Sequence, residues 1–538
     1  MDDLCERIKD YLLPVSICGE QKTFNSCLLT TTSASQVYLN NNDVCILNPK
    51  GYIIFDFGKE IQGGIRLLTA RGSSKVRVRF GESLGEACSG LGEKNSTNSH
   101  STRDFAYFIP ELADMELGQT GFRFVRIDNI GNGDLRFIAV NAVYQHLKVL
   151  PKGNFVSNDK RINEIYDTAK RTLFLCMQNR VWDGIKRDRL VWIGDFHPEL
   201  KGILYLYGNH PFIKSALEES MIHCEKDGWM CNIPSYSSWW LVSLCDYFLY
   251  SNDWDFFSSQ LNNAFGIVSA LNKSVDENGN VDYINTNSAD PLFIAWETKG
   301  ANNIELAHKG LILFALKKLS SVLTGRNEFN PEISELINKL GKNKDYYGNN
   351  KQVASVYSLG YPIDDNARKC LLSGGAERFN TFMSSYIADA IYRAGDPRKA
   401  LFDMKEFYGG MLDCGATSFW ESFNPAWLKS NTRIDQMPEK GKKYIHCSYG
   451  TNCYRGYRLS LCHGWSCGPV QFLSDKALGV KFLNAGGSKI KIEPDLMGLE
   501  SAEGVIPTIY GDIEISNKMT KTGIKTVYKL PKDITVLK

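Results

Sequence analysis

The sequence predicts a multidomain β + α protein: an antiparallel β-sandwich over residues 1–150, a domain of helical hairpins over 151–475 and a small C-terminal β-sheet domain over 476–538. Three observations predict it. Apolar residues alternate with polar ones up to about residue 147, and the spacing then changes to threes and fours. Beyond about residue 478, short alternating runs return between Pro494, Pro507 and Pro531.

In the first segment, Tyr52-Ile-Ile-Phe-Asp-Phe, Gly64-Ile-Arg-Leu-Leu, Lys75-Val-Arg-Val-Arg-Phe and Phe122-Arg-Phe-Val-Arg-Ile read as strands separated by Gly, Ser and Asn. Residues 88–101, rich in Gly, Ser and Asn, read as a long surface loop. Helical spacing covers 163–176, 199–224, 238–250, 256–271, 304–323, 331–340 and 378–392. Helices joined by Gly, Pro and Asn suggest hairpins packed as a bundle, toroid or solenoid, and the absence of a fixed repeat counts against a solenoid. In the last segment Lys489-Ile-Lys-Ile, Gly511-Asp-Ile-Glu-Ile and Lys525-Thr-Val-Tyr-Lys-Leu supply the closing sheet.

At 538 residues the chain is too long for one core. Hydrophobic content of 43%, charged content of 23% and a net charge of +2 describe an ordinary globular protein without the clustered basic face that a nucleic acid or an anionic membrane demands. Fifteen cysteines form no metal pattern, since the spacing of Cys447, Cys453, Cys462 and Cys467 matches no zinc site. With no apolar leader or bilayer-length run, free thiols in a cytoplasm are the expectation, and a secreted chain trimmed of its leader would read the same.

The chemistry centres on Asp183-Gly-Ile-Lys-Arg-Asp-Arg-Leu-Val-Trp-Ile-Gly-Asp-Phe-His-Pro-Glu199. Carboxylates, cations, a Trp and a His crowd a run with little helical period, which reads as a shaped loop leading into a helix and walling a polar cleft. The competing reading is a buried salt-bridge network that fixes a loop. Further knots end other predicted helices: Pro234 to Trp240, Asp290 to Glu297 with Trp296, Gly415-Ala-Thr-Ser-Phe-Trp-Glu421, and His463-Gly-Trp465. Each alone reads equally as an aromatic helix cap. Together they supply what glycosidic hydrolysis requires: one carboxylic acid for the leaving oxygen, one carboxylate for water, and aromatic faces for sugar rings.

Asp183-Gly-Ile-Lys-Arg-Asp-Arg-Leu-Val-Trp-Ile-Gly-Asp195 resembles the signature of the bacterial α-L-rhamnosidase family of inverting glycoside hydrolases, Asp-Cys-Pro-Gln-Arg-Asp-Glu-Arg-Leu-Gly-Trp-Thr-Gly-Asp. Gly415 to Glu421 is similar to that family's Gly-Ala-Thr-Thr-x-Trp-Glu, and Leu461-Cys-His-Gly-Trp resembles its later His motif. Asp56-Phe-Gly-Lys-Glu-Ile-Gln-Gly and Arg79-Phe-Gly-Glu-Ser-Leu are similar to the domain preceding its barrel. The resemblance implies a central (α/α)6 barrel between β domains that cleaves terminal α-L-rhamnose from a carbohydrate substrate with inversion, no cofactor and no metal; a related deoxy or uronic sugar, and a hydrolase or lyase for another sugar on the same barrel, stand as alternatives. It implies Glu421 as general base, and Asp183, Arg187, Trp192, Asp195 and His463 around the sugar. Arg189, Trp240, Trp296 and Trp465 join the candidate substrate-binding set.

The run is one residue shorter than the family pattern, beside the family's acidic Glu. Aligning Lys186-Arg-Asp with Arg-Asp-Glu makes Asp188 the general acid, the preferred assignment; aligning Arg187-Asp188 with Arg-Asp deletes the acid, leaving a non-catalytic sugar-binding relative. Glu199 and Glu297 are reserve proton donors. A charged insertion between Ala426 and Tyr444 departs from the family pattern.

Overall fold

The computed structural model describes residues 5–31, 41–222, 224, 229–283, 288, 290–342, 345–429 and 431–537. The chain divides into two compact units that interleave along the sequence. One holds Met1–Lys148, Phe174–Leu190 and Gly410–His463; the other holds Val149–Leu173, Val191–Gly409 and Gly464–Lys538.

The first unit is built on a seven-stranded sheet of β1 (Arg7–Leu12), β2 (Ser16–Phe24), β3 (Cys45–Thr69), β4 (Ser74–Gly81), β5 (Asp104–Ile109), β6 (Asp114–Asn129) and β7 (Leu135–Leu147). The order is β1-β7-β3-β6-β4-β5, with β2 also paired to β3. Alternation places Ile53, Phe55, Ile65, Leu67, Val76, Val78, Val125 and Ile127 in one core at 0% exposure, where burial of each such side chain contributes about 1.5–3 kcal/mol. The long β3 bends where its register against β6 shifts between Asp56 and Ile61, with Gly58 at φ +80 accommodating the irregularity.

β1 and β2 precede the strands expected from sequence. Five of the six residues of β1 are exposed, so it carries no apolar alternation to read. Residues 88–101 are less of a surface loop than their composition suggests. The buried Arg103 guanidinium donates to Ser96 Oγ at 3.0 Å and Ser89 O at 2.9 Å, drawing both into the interior.

The second unit is mostly helical. Ile193–Leu206 packs on Pro234–Ser251, which packs on Glu305–Thr324, then Lys351–Gly360, Ser384–Arg393 and Gly468–Leu473, and the last returns to Ile193–Leu206. Six helices thus close a ring. Two glycines permit a close crossing in it: a Cβ on Gly310 would lie 2.4 Å from Tyr357 Cα, and one on Gly360 would lie 2.3 Å from Gly310 O. Asn330, Asn350 and Asp364 cap the helices Pro331–Leu340, Lys351–Gly360 and Asp365–Leu372.

Several helix expectations are corrected. The stretch 199–224 is two helices, Ile193–Leu206 and Phe212–Ile222, parted at Gly208 (φ +75) and Pro211. Residues 256–271 also split, into Trp254–Ser259 and Leu261–Lys273. The helix expected at 378–392 begins only at Ser384.

Strand β8 (Asn154–Ser157) pairs antiparallel with Ser501–Thr508, which continues through Gly511–Thr520 to Gly523–Lys529. The closing sheet therefore takes its edge from a segment lying before the helices in sequence. No helix among the described residues is long and apolar enough to cross a membrane.

Candidate active site

In the first unit, residues 183–190 form a tight loop closed on itself. Asp183 N–H donates to Leu190 O, and Leu190 N–H donates to Asp183 Oδ1, both at 3.0 Å. Asp188 and Arg189 sit consecutively in the left-handed region at φ +59 and +60. For residues with a Cβ this costs of the order of 1–2 kcal/mol each, strain that accumulates where side-chain aim matters more than stability.

That turn sends Arg187 into the interior. Its Nη2 lies 2.5 Å from Glu421 Oε1 and its Nη1 lies 2.9 Å from Asp188 Oδ2. One guanidinium thus holds both carboxylates that the sequence singled out, so they stand no farther apart than its width plus two hydrogen bonds. Burial works against the cation, but the Glu421 and Asp188 charges outweigh it and hold Arg187 above its ordinary pKa.

Glu421 is fixed a second and third time by backbone. Its N–H donates to Ser460 O at 2.9 Å, and Ser460 N–H returns a hydrogen bond to Glu421 Oε2 at 3.1 Å. His463 completes the group, with Nε2 3.7 Å from both Asp183 Oδ2 and Glu421 Oε1. Burial and the neighbouring Arg187 push its pKa well below the ordinary value, so the imidazole is neutral at pH 7. Arg189 turns outward to Ile185 O at 3.1 Å and Gln119 O at 3.0 Å, and burial lowers it to about 10. It supports the loop beside the cluster.

Behind these residues lies a buried polar layer that sequence reasoning missed. Lys186 Nζ sits 2.8 Å from Glu86 Oε1 and 3.3 Å from Glu82 Oε2, and also donates to Leu459 O at 2.9 Å and to Tyr457 O. Glu82 accepts from Leu461 N–H at 2.7 Å and from Ser460 Oγ at 3.2 Å. His446 lies between Ser83 Oγ at 2.6 Å and Leu459 O at 2.9 Å. The segment 457–461 that positions Glu421 is therefore gripped along its length. Glu82, Glu86 and His446 come close enough together to suggest a metal set, but the Lys186 ammonium is the cation they already surround. Burial raises Glu82 to about 7. The available sequence signal was Glu82 directly after the alternating strand Ser74–Gly81, whose last four residues are all buried.

The insertion between Ala426 and Tyr444 packs onto this layer. Leu84 N–H and Tyr444 Oη both donate to Ile434 O at 2.8 Å.

The other candidates belong to the second unit. The helix begins at Ile193, earlier than the loop reading allowed, with Trp192 at its N-cap and Asp195 in its first turn. Asp195 Oδ1 accepts from Tyr236 Oη at 3.1 Å. Glu199 is buried against Gly464, where a Cβ would come 1.6 Å from its Oε1. Trp465 stacks on Phe382 with ring centroids 5.1 Å apart. Trp296 packs edge-on to Phe293, and Glu297 is exposed with Oε2 3.2 Å from Asn380 Nδ2. Trp240 is different: it is 0% exposed and its indole N–H is spent on Leu217 O at 2.9 Å. That placement makes it a core side chain of its helix, with no face left to a sugar.

Residues 151–290 match the family model described as the bacterial alpha-L-rhamnosidase 6 hairpin glycosidase domain. A curated alpha-L-rhamnosidase from Alteromonas sp. (strain LOR) is 23% identical over 549 residues, covering 90% of this chain and 55% of that protein. The chain thus spans about half the length of that relative. The crystal structure of a GH78 family rhamnosidase of Bacillus sp. GL1 is similar at a TM-score of 0.72 and 19% identity, covering 90% of this chain and 52% of that one. A rhamnosidase from Klebsiella oxytoca with rhamnose bound is similar at a TM-score of 0.66 and 19% identity, covering 88% of this chain and 96% of that one.

Proposed function

We propose that this chain is a bacterial alpha-L-rhamnosidase family member, an exo-acting glycoside hydrolase that releases terminal α-L-rhamnose, or a closely related sugar, with inversion. The ring of six helices supports reading the second unit as the inner wall of an (α/α)6 barrel. The rhamnose bound in the Klebsiella relative supports a carbohydrate substrate.

The observation that carries the proposal is the shared guanidinium of Arg187. Glu421, held by Arg187 and the Ser460 backbone, is the general base: water attacks the anomeric carbon as its proton passes to the Glu421 carboxylate. Asp188, on the other terminal nitrogen, marks the side from which the leaving oxygen receives its proton. Asp183, Arg187 and the neutral His463 bind sugar hydroxyls. Fixed donors and acceptors of this kind act without reorganising during the reaction.

Turnover of an aryl α-L-rhamnoside by the purified protein, and its loss in Glu421→Gln, tests the reading. The second reading is a sugar-binding relative without chemistry, suggested by the shortened 183–195 run. It predicts that rhamnose protects the protein against heat while no rhamnoside is cleaved.

A further inference from the structure

We propose that the second unit carries a further binding site, for a small hydroxylated carboxylate, in a cavity between the helices Ile193–Leu206 and Pro234–Ser251 and the strands Val480–Phe482 and Ser501–Thr508. The cavity measures about 240 Å³, just under the range of pockets that take a drug-sized ligand, which limits its occupant to about one ring. None of its lining side chains is among those assigned to the hydrolysis, so the site stands or falls apart from that reaction.

The observation that points to a ligand is the ammonium group of Lys201. It approaches Asp246, but Asp246 is already taken: Oδ1 accepts from Lys318 Nζ, and Oδ2 pairs with His197 Nε2 at 3.1 Å. Lys201 Nζ stands off from Oδ2 at 3.6 Å, outside hydrogen-bond range. Its side chain is only 21% exposed, and among the described residues it makes no hydrogen bond. A largely buried cation with unspent donors is costly unless something accepts from it.

Two more ammonium groups line the cavity, Lys476 in the turn Ser474–Leu478 and Lys481 on the strand beyond it. Each has a carboxylate of its own, Asp389 at 2.6 Å and Glu493 at 2.8 Å, so Lys201 is the one left for a ligand carboxylate. Asp475 supplies the acceptor side. It accepts from Tyr205 Oη and from Gln471 Nε2 at 3.4 Å, and burial pushes it above its ordinary pKa although Lys201, Lys476 and Lys481 act the other way. Asp475 and Tyr205 thus offer an acceptor and a hydroxyl to the hydroxyls of a ligand. The remaining wall is apolar. Tyr250 and Phe482 stack with ring centroids 5.8 Å apart, beside Val480 and Ile506, and give the body of a ring a surface to lie on.

Isothermal titration calorimetry on the full chain tests this, with D-glucuronate as the probe, L-rhamnose as an uncharged control and acetate as the bare anion. Lys201→Gln removes the ammonium group, and Leu249→Trp narrows the cavity at a lining position 38% exposed, where a larger side chain is tolerated; circular dichroism checks that both variants are folded. The parent protein is expected to bind glucuronate, and each variant to weaken that binding about tenfold or more while leaving any binding of rhamnose as it was. No binding of glucuronate by the parent protein, or binding unchanged in either folded variant, overturns the site. Rhamnose or acetate binding that equals that of glucuronate and is lost in the same variants overturns the hydroxylated carboxylate as its occupant.

Discussion

Arg187 Nη2 and Glu421 Oε1 meet at 2.5 Å across 234 positions of sequence, each side chain only 5% exposed. A buried pair of this kind is dear to break from one side, because the surviving charge stays desolvated. Arg187→Met is expected to lower unfolding stability by about 3–5 kcal/mol, read as a shift in the urea midpoint. Arg187→Lys retains the charge but lacks the planar fork that reaches Asp188 and Glu421 together, so it should lose activity more completely than stability.

Glu421→Gln keeps the shape of the side chain and can still accept from Ser460 N–H. It is expected to lower kcat on an aryl α-L-rhamnoside by about two to four orders of magnitude, with little change in KM. Steady-state kinetics on the folded variant checks this, and unchanged turnover removes Glu421 from the reaction.

His446 gives the buried layer a pH signature. Burial, with Lys186 adding to it, pushes His446 from 6.5 down to about 3. Between those values the unfolded chain binds more protons than the folded one, so the contribution of His446 is fully present above about pH 6.5 and falls as the pH drops toward 3. Glu82 works in the other sense: raised from 4.5 to about 7, it contributes below pH 4.5 and loses its contribution as the pH rises through 7. His446→Asn isolates the first effect. Urea titrations from pH 4 to 8 should show a shallower loss of stability on acidification in the variant than in the parent, and identical slopes would contradict the account.

Trp240→Phe removes an indole N–H donor from a wholly buried site and leaves Leu217 O short of a partner. A destabilisation of about 1–3 kcal/mol with KM for the rhamnoside unchanged is expected from melting and kinetics together. A raised KM at unchanged stability would restore Trp240 to the sugar site.

The parts legible in sequence were those with local signals. Strands β3, β4 and β6 announced themselves by alternation and several of the helices by their spacing, while β5, β7 and the helices Lys351–Gly360 and Gly468–Leu473 were not singled out; Asp183, Arg187, Glu421 and His463 stood out as polar residues in aromatic company. What could not be read was pairing at long range. β8 lies beside Ser501–Thr508, and nothing in four residues names a partner several hundred positions away. Lys186 was visible as one cation among several, but its burial against Glu82 and Glu86 depends on how the sheet and the 457–461 segment fold around it. Trp240 misled for the opposite reason, since an aromatic knot at a helix start looks the same in sequence whether it faces a cleft or the core.

On the proposed function, water assisted by Glu421 attacks one face of the sugar and the aglycone departs from the other. Proton NMR of the first sugar released from an aryl α-L-rhamnoside, recorded before mutarotation, tests this most directly. The account predicts β-L-rhamnose as the initial anomer; α-L-rhamnose appearing first would contradict it.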